Sequence, residues 1–183
     1  MEYRIKFNGV TTLSEARYAA AAGAAWIGFP MDGALAAAKI QEIAAWLQGP
    51  ELVGEYAQWP VTATRLDHFQ ILGFDWIEGE AKGLEGMDAP QRAIVRVDME
   101  CDFSALPDAV VLHAATPDIW LKRKTVSGGR KWMVNLSGAN PGNLEWLMEE
   151  KPFAFSLDAV GEDQTGLRDF EAWDEWLEAL ESL

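Results

Sequence analysis

The sequence predicts an α/β fold and, within that class, a compact (β/α)8 TIM barrel; three observations carry the prediction. First, continuous apolar runs of strand length recur about eight times along the 183 residues. Second, helix-patterned segments separate most of these runs, at intervals of roughly 20 to 25 residues. Apolar runs covered by helices belong to a parallel sheet, and eight such units close most economically into a barrel. Third, no Gly-x-Gly-x-x-Gly follows the first strand. That disfavours a doubly wound open sheet, the alternative arrangement. No linker divides the chain, so residues 1–183 read as one domain.

The elements follow in order. "YRIKF" is rich in strand formers and is broken by Asn8-Gly9. Thr12 and Glu15 have the spacing of a capping box, opening the alanine-rich helix "LSEARYAAAA", and Gly23 ends it. "WIGF" is the second strand. Asp32 is placed to cap a second helix whose Ile40, Ile43, Ala44 and Leu47 share one face. "ELVGEYA" is the third strand. Pro60 sits near the start of a third helix, which Gly73 closes, and "FDWIE" is the fourth strand.

The rhythm then thins. "GEAKGLEGMDAPQ" and "DMECDFSALPD" are too broken or too short for full helices, so the crossovers after strands four and five are shortened or missing. They flank the fifth strand, "RAIVRV". "AVVLH" is the sixth strand, followed by a short helix, "PDIWLKRK", with proline at its first position. "KWMVNL" is the seventh, Asn140-Pro141 opens a further helix, and "FAFSL" is the eighth. Asp169 is placed to cap the last helix, with Phe170, Trp173, Leu177 and Leu180 along one stripe.

Composition narrows the function classes. A formal net charge of −14 would repel a phosphate backbone, so nucleic acid is not an expected partner. No apolar run is long enough for a bilayer, and the first residues lack a signal pattern. One cysteine forms no internal disulfide, and the expected location is the cytoplasm. Two histidines without Cys-x-x-Cys give no zinc pattern; no metal or cofactor is expected. Nine tryptophans serve either core and interface packing or ligand stacking.

A barrel keeps its chemistry at the C-terminal ends of its strands. There stand Asn8 after strand one, Glu55 in strand three, Glu78 and Glu80 after strand four, and Arg96 and Asp98 at the end of strand five. His113 ends strand six, Ser137 follows strand seven, and Asp158 follows strand eight. Alternate strand residues face outward, so only part of this set reaches the mouth. Histidine as a residue type suits general acid or base work near neutral pH, which makes His113 a candidate; the competing role is a neutral imidazole holding a loop. Ser137, Gly138 and the Asn140 helix start offer backbone N–H groups for a phosphate, whereas Asp158 opposes an anion. The acids Glu55, Glu78 and Asp158 would suit a hard metal ion only if they converged, which spacing does not establish.

These residues also carry a resemblance. The chain resembles phosphoribosylanthranilate isomerase of tryptophan biosynthesis along nearly its whole length. Lys6-Phe7-Asn8-Gly9-Val10-Thr11 is similar to that family's Lys-Ile-Cys-Gly-Ile-Thr, and Ile27-Gly28-Phe29 to its Ile-Gly-Phe. Val53-Gly54-Glu55-Tyr56 is similar to Val-Gly-Val-Phe. Ser137-Gly138-Ala139-Asn140-Pro141-Gly142-Asn143-Leu144 is similar to Gly-Gly-Leu-Asn-Pro-x-Asn-Val, and Gly166-Leu167-Arg168-Asp169 to Gly-Val-Lys-Asp.

The resemblance implies an Amadori rearrangement, an aldose-to-ketose isomerisation, with a cysteine as general base and an aspartate as general acid. Asn8 stands at the base position and His113 at the acid position. The short "PMDGALAAAK" lacks the arginine that grips the substrate carboxylate. The phosphate loops are altered at Ser137 and at Asp158-Ala159-Val160.

Three readings follow. The chain is an isomerase-like barrel with the original activity lost or strongly altered. Alternatively it is an active isomerase on this or another sugar phosphate, using His113. Or it is a non-catalytic barrel that binds a ligand or a partner subunit. The expected ligand is a small sugar phosphate or other small molecule at the mouth, and the expected assembly a monomer or homodimer.

Overall fold

The computed structural model describes residues 3–32, 37–57, 72–81, 92–106, 110–141, 151–159 and 170–182. Its eight strands are β1 (Ile5–Asn8), β2 (Trp26–Pro30), β3 (Glu51–Glu55), β4 (Trp76–Glu80), β5 (Ala93–Val97), β6 (Val111–Ala114), β7 (Trp132–Asn135) and β8 (Ala154–Asp158). They are all parallel, each pairs with the next, and β8 returns to β1. The predicted closed barrel is the one observed. Asn8, Glu78, Glu80 and Asp158, expected beyond their strands, are strand residues.

Four α-helices lie among the described residues: α1 (Leu13–Ala21), α2 (Ala37–Ala44), α3 (Pro117–Arg123) and α4 (Glu171–Glu181). The Thr12–Glu15 capping box is present in both directions. Gly23 adopts φ +77°, and two bonds, Gly23 N–H to the Ala20 carbonyl and Ala24 N–H to the Ala19 carbonyl, make a Schellman ending. Pro117 occupies the first turn of α3, capped by Thr116.

Two further expected caps involve residues outside the described ones. The Asp32 carboxylate accepts from the Ala57 N–H, tying the β2 and β3 ends together, and the start of the following helix lies outside the described residues. The cap position of α4 is Phe170, without a side-chain hydrogen bond, and Asp169 lies outside the described residues. So do most of the expected third helix, the crossover after β4 and the helix after Asn140-Pro141. After β5 only a 3-10 turn, Phe103–Ala105, is found among the described residues, in keeping with the shortened crossover.

Outward strand residues pack against the helices. Phe7, for example, meets Trp173 of α4 edge-on. Inside, Trp26, Val53, Ile94, Val111, Met133 and Ala154 form an apolar floor. Beneath it the indole N–H groups of Trp26 and Trp76 both donate to Glu51 Oε2, at 3.1 and 2.8 Å. Arg92 pairs with the other Glu51 oxygen. These tryptophans pack; they do not line the mouth.

Candidate functional site

Above the floor the interior turns polar, and register explains which groups meet. The even-numbered strands contribute Gly28, Glu78, His113 and Ser156 to one layer, as alternate strands of a barrel do. Ser156 lies opposite Lys6, Glu55 opposite Glu78, and Asn8 opposite Asp158. Lys6 and Ser156 were absent from the sequence-derived candidates, as was Asn135 at the end of β7. Their signal was polarity at inward positions of otherwise apolar strands.

Lys6 is fully buried at the barrel centre. Its ammonium donates to Asn8 Oδ1 at 2.5 Å, pairs with Glu55 Oε1, and lies 2.7 Å from Glu78 Oε2. Two of its protons are thus hydrogen-bonded, to Asn8 and Glu55, while Glu78 Oε2 is held by the ion pair and has no hydrogen-bond partner. The second Glu78 oxygen lies 2.6 Å from His113 Nδ1, and His113 Nε2 lies 2.7 Å from Ser156 Oγ. The second Glu55 oxygen accepts from the Gly9 N–H at 2.8 Å.

Gly28 makes this arrangement possible. A Cβ there would collide with Glu55 Oε1 and come within 2.9 Å of Lys6 Nζ. The glycine's missing side chain is the space that the ion pair fills.

The electrostatics follow from this packing. Burial lowers the Lys6 pKa, but Glu55 and Glu78 outweigh it and hold the ammonium above its ordinary value. Burial raises the Glu78 pKa, yet Lys6 and His113 together keep its carboxyl well below the usual range. For Glu55 burial wins, aided by the Glu78 charge, against the pull of Lys6 and the Gly9 N–H; its pKa is raised.

Nearer the rim, Asp158 Oδ1 accepts from Asn8 Nδ2 and Asn135 Nδ2, each at 2.8 Å. Asn8 is therefore a bridge, accepting from the central lysine and donating to the rim carboxylate. A thiol has no such pair of ends. Together Asn8, Glu55, Glu78, Arg96, His113, Asn135 and Asp158 line a cavity of 190 Å³.

A larger cleft of 630 Å³ adjoins it through Arg96 and Ala115 and is bordered by Glu80, Asp98, Glu100, Cys101 and Asp102. Arg96 donates to the Tyr56 carbonyl. Cys101 is buried in the cleft wall, and burial pushes its thiol pKa up.

Of the loops expected to hold phosphate, residues 142–150 and 160–169 lie outside the described residues; in the described part three backbone N–H groups are bonded within the protein. The Ser137 N–H donates to Asn135 Oδ1, the Asp158 N–H to Ser137 Oγ, and the Ala159 N–H to the Asn8 carbonyl. Gly138 adopts φ +82° in the turn, and Asn140 is exposed. Among the described residues no group of three His, Cys, Asp or Glu side chains is arranged to hold a metal ion. No described helix is long and apolar enough to cross a membrane.

This geometry can be set beside that of known proteins. No protein-family model matches the sequence, and no curated protein does. Solved structures do. Phosphoribosyl anthranilate isomerase from Thermus thermophilus superposes with a TM-score of 0.74 at 22% identity, with 98% of each chain covered. This chain has the phosphoribosylanthranilate isomerase fold.

A phosphoribosyl anthranilate isomerase in complex with reduced 1-(o-carboxyphenylamino)-1-deoxyribulose 5-phosphate gives a TM-score of 0.76 at 19% identity over 99% of this chain and 100% of that one. TrpF from Jonesia denitrificans gives 0.73 at 16% identity, with 98% and 97% covered.

Proposed function

We propose that this chain is a phosphoribosylanthranilate-isomerase-like barrel, one domain over residues 1–183, that has lost efficient turnover of phosphoribosylanthranilate. The observation that carries this reading is the bonding of Asn8. An amide stands at the position of the family's general base, and both its ends are engaged, one by Lys6 and one by Asp158. Neither end can take a proton from carbon.

Two further features agree. The ligand of the related complex has a phosphate and a carboxylate, both anionic. Here the N–H groups of Ser137, Asp158 and Ala159 are bonded within the protein, and the Asp158 carboxylate stands beside them. His113, at the position of the general acid, has both ring nitrogens engaged by Glu78 and Ser156. The reading in which His113 does the acid's work draws no support from that geometry. We place the protein in the cytoplasm, with a small polar molecule as its mouth ligand.

The test is incubation of the pure protein with phosphoribosylanthranilate, followed by anthranilate fluorescence. Turnover at least a thousandfold below that of an ordinary enzyme is expected. Turnover of roughly 1 to 1000 per second would overturn the reading. Asn8→Cys is expected to restore none, because His113 and the bonded N–H groups of Ser137, Asp158 and Ala159 remain.

A further inference from the structure

Charge is segregated along this chain. Residues 119–144 hold five of its 15 lysines and arginines and none of its 29 aspartates and glutamates, in a protein of net charge −14. The fold brings part of this charge to the N-terminal end of the barrel, away from the mouth. Lys124 follows α3, Arg130 and Lys131 precede β7, and Lys151 joins them from just before β8. With Trp120, Trp132 and Phe153 they surround a pocket of 400 Å³, a volume that suits a small ligand. No carboxylate lines it among the described residues.

Structural roles account for the arginines. Arg123 donates to the Cys101 carbonyl and lies over the Phe103 ring. Arg130 donates to the Ser127 and Leu106 carbonyls at 3.0 and 2.9 Å, which fixes its guanidinium in the pocket wall. The lysines are held differently. The Lys131 ammonium lies 4.7 Å from the centre of the Phe153 ring, and that of Lys124 5.2 Å from the centre of the Trp120 ring. An aromatic face positions a cation without neutralising it. Lys131 and Lys151 are exposed and pair with no carboxylate among the described residues. Lys151 is also the one described non-glycine residue with a positive φ, +42°. Glycine adopts that conformation freely, whereas a lysine there is strained.

We propose that this pocket binds a compact multivalent anion of the oligophosphate class. Like charges around one opening repel one another, and an anion carrying several charges relieves that repulsion at each contact. A lysine ammonium is a compact charge with three rotatable donors and suits phosphate oxygens, and the fixed guanidinium of Arg130 adds a second donor type. The acidic remainder of the chain is screened beyond about 8 Å at physiological salt, so the local cations set the field in the pocket. The pocket lies at the opposite end of the barrel from the mouth, so its ligand is independent of any chemistry there.

The test is isothermal titration of the whole protein with pyrophosphate, at low and at physiological salt, with backbone amide shifts in NMR to place the ligand. One pyrophosphate per chain is expected, bound more weakly as salt rises. The largest shifts are expected at Lys131, Trp132, Lys151 and Phe153. Lys131→Gln combined with Lys151→Gln removes two charged contacts and is expected to weaken binding at least about tenfold. Both side chains are exposed, so the double variant keeps its fold. Lys39→Gln, at an exposed lysine of α2 paired with Glu42, is expected to leave binding unchanged. Absence of binding, unchanged affinity in the double variant, an equal loss in Lys39→Gln, or shifts centred on Ser137 and Asp158 would each overturn the assignment. Citrate binding more tightly than pyrophosphate would overturn the oligophosphate class.

Discussion

At the scale of single residues, Lys6 holds the interior together. It is the cation that two buried carboxylates share, and it also fixes Asn8. Breaking a buried ion pair from one side leaves the partner charges stranded, which costs about 3–5 kcal/mol. Lys6→Met is therefore expected to destabilise the protein by about that amount in urea unfolding. Adding Glu55→Gln should recover part of the loss, since one stranded carboxylate is then neutral. A Lys6→Met variant as stable as the parent would show that the carboxylates find relief elsewhere.

The sequence named Glu55, Glu78 and His113 as strand-end candidates but passed over Lys6. A lysine inside a short strand ordinarily points to solvent. Only the barrel's alternation, with Ile5 and Phe7 taking the outward face, turns it inward. Ser156 escaped notice for the same reason, as one small hydroxyl in an apolar run.

Among elements, the strands below the floor show where the surplus of tryptophan goes. Trp26 and Trp76 meet edge-on, and both hydrogen-bond Glu51 at the N-terminal end of the barrel. That end of such barrels serves stability rather than chemistry. Glu51→Ala removes the acceptor of two indole N–H groups and is expected to cost about 1–3 kcal/mol, read by chemical denaturation with tryptophan fluorescence as the probe. Glu51→Gln keeps an acceptor and should cost less. Equal losses for the two would point to the Arg92 ion pair instead.

The strands were legible because each is a continuous apolar run. The helix ends were partly legible. Thr12 and Glu15 cap α1 through local geometry alone, whereas Asp32 also accepts from the Ala57 N–H on the β3 side, a partner that only folding brings near.

For the whole molecule, the two central glutamates give stability opposite dependences on pH. Glu78 is held below its ordinary value near 4.5, so below that pH the unfolded chain binds more protons and stability falls on acidification. Glu55 is raised above 4.5, so the native chain binds the extra proton and stability falls as pH rises through that window. Urea unfolding across pH 3 to 9, roughly the span of both windows, should separate them. Glu55→Gln is expected to lose the decline on the upper side and to keep the acid-side loss. Parallel curves for the two proteins would contradict this assignment. The closed barrel itself was readable from the rhythm of the chain. Its interior was not, because convergence depends on register, and register brings Ser156 to Lys6 and Asp158 to Asn8 only when β8 meets β1.

Gly28 couples two positions that lie far apart in the sequence. A side chain at position 28 would need the space that the Glu55 carboxylate fills and would crowd the Lys6 ammonium. A change at Gly28 therefore has to displace Glu55, whereas Glu55 can be replaced by a smaller residue on its own. The freedom of these two positions to vary is thus tied together by one absent carbon atom.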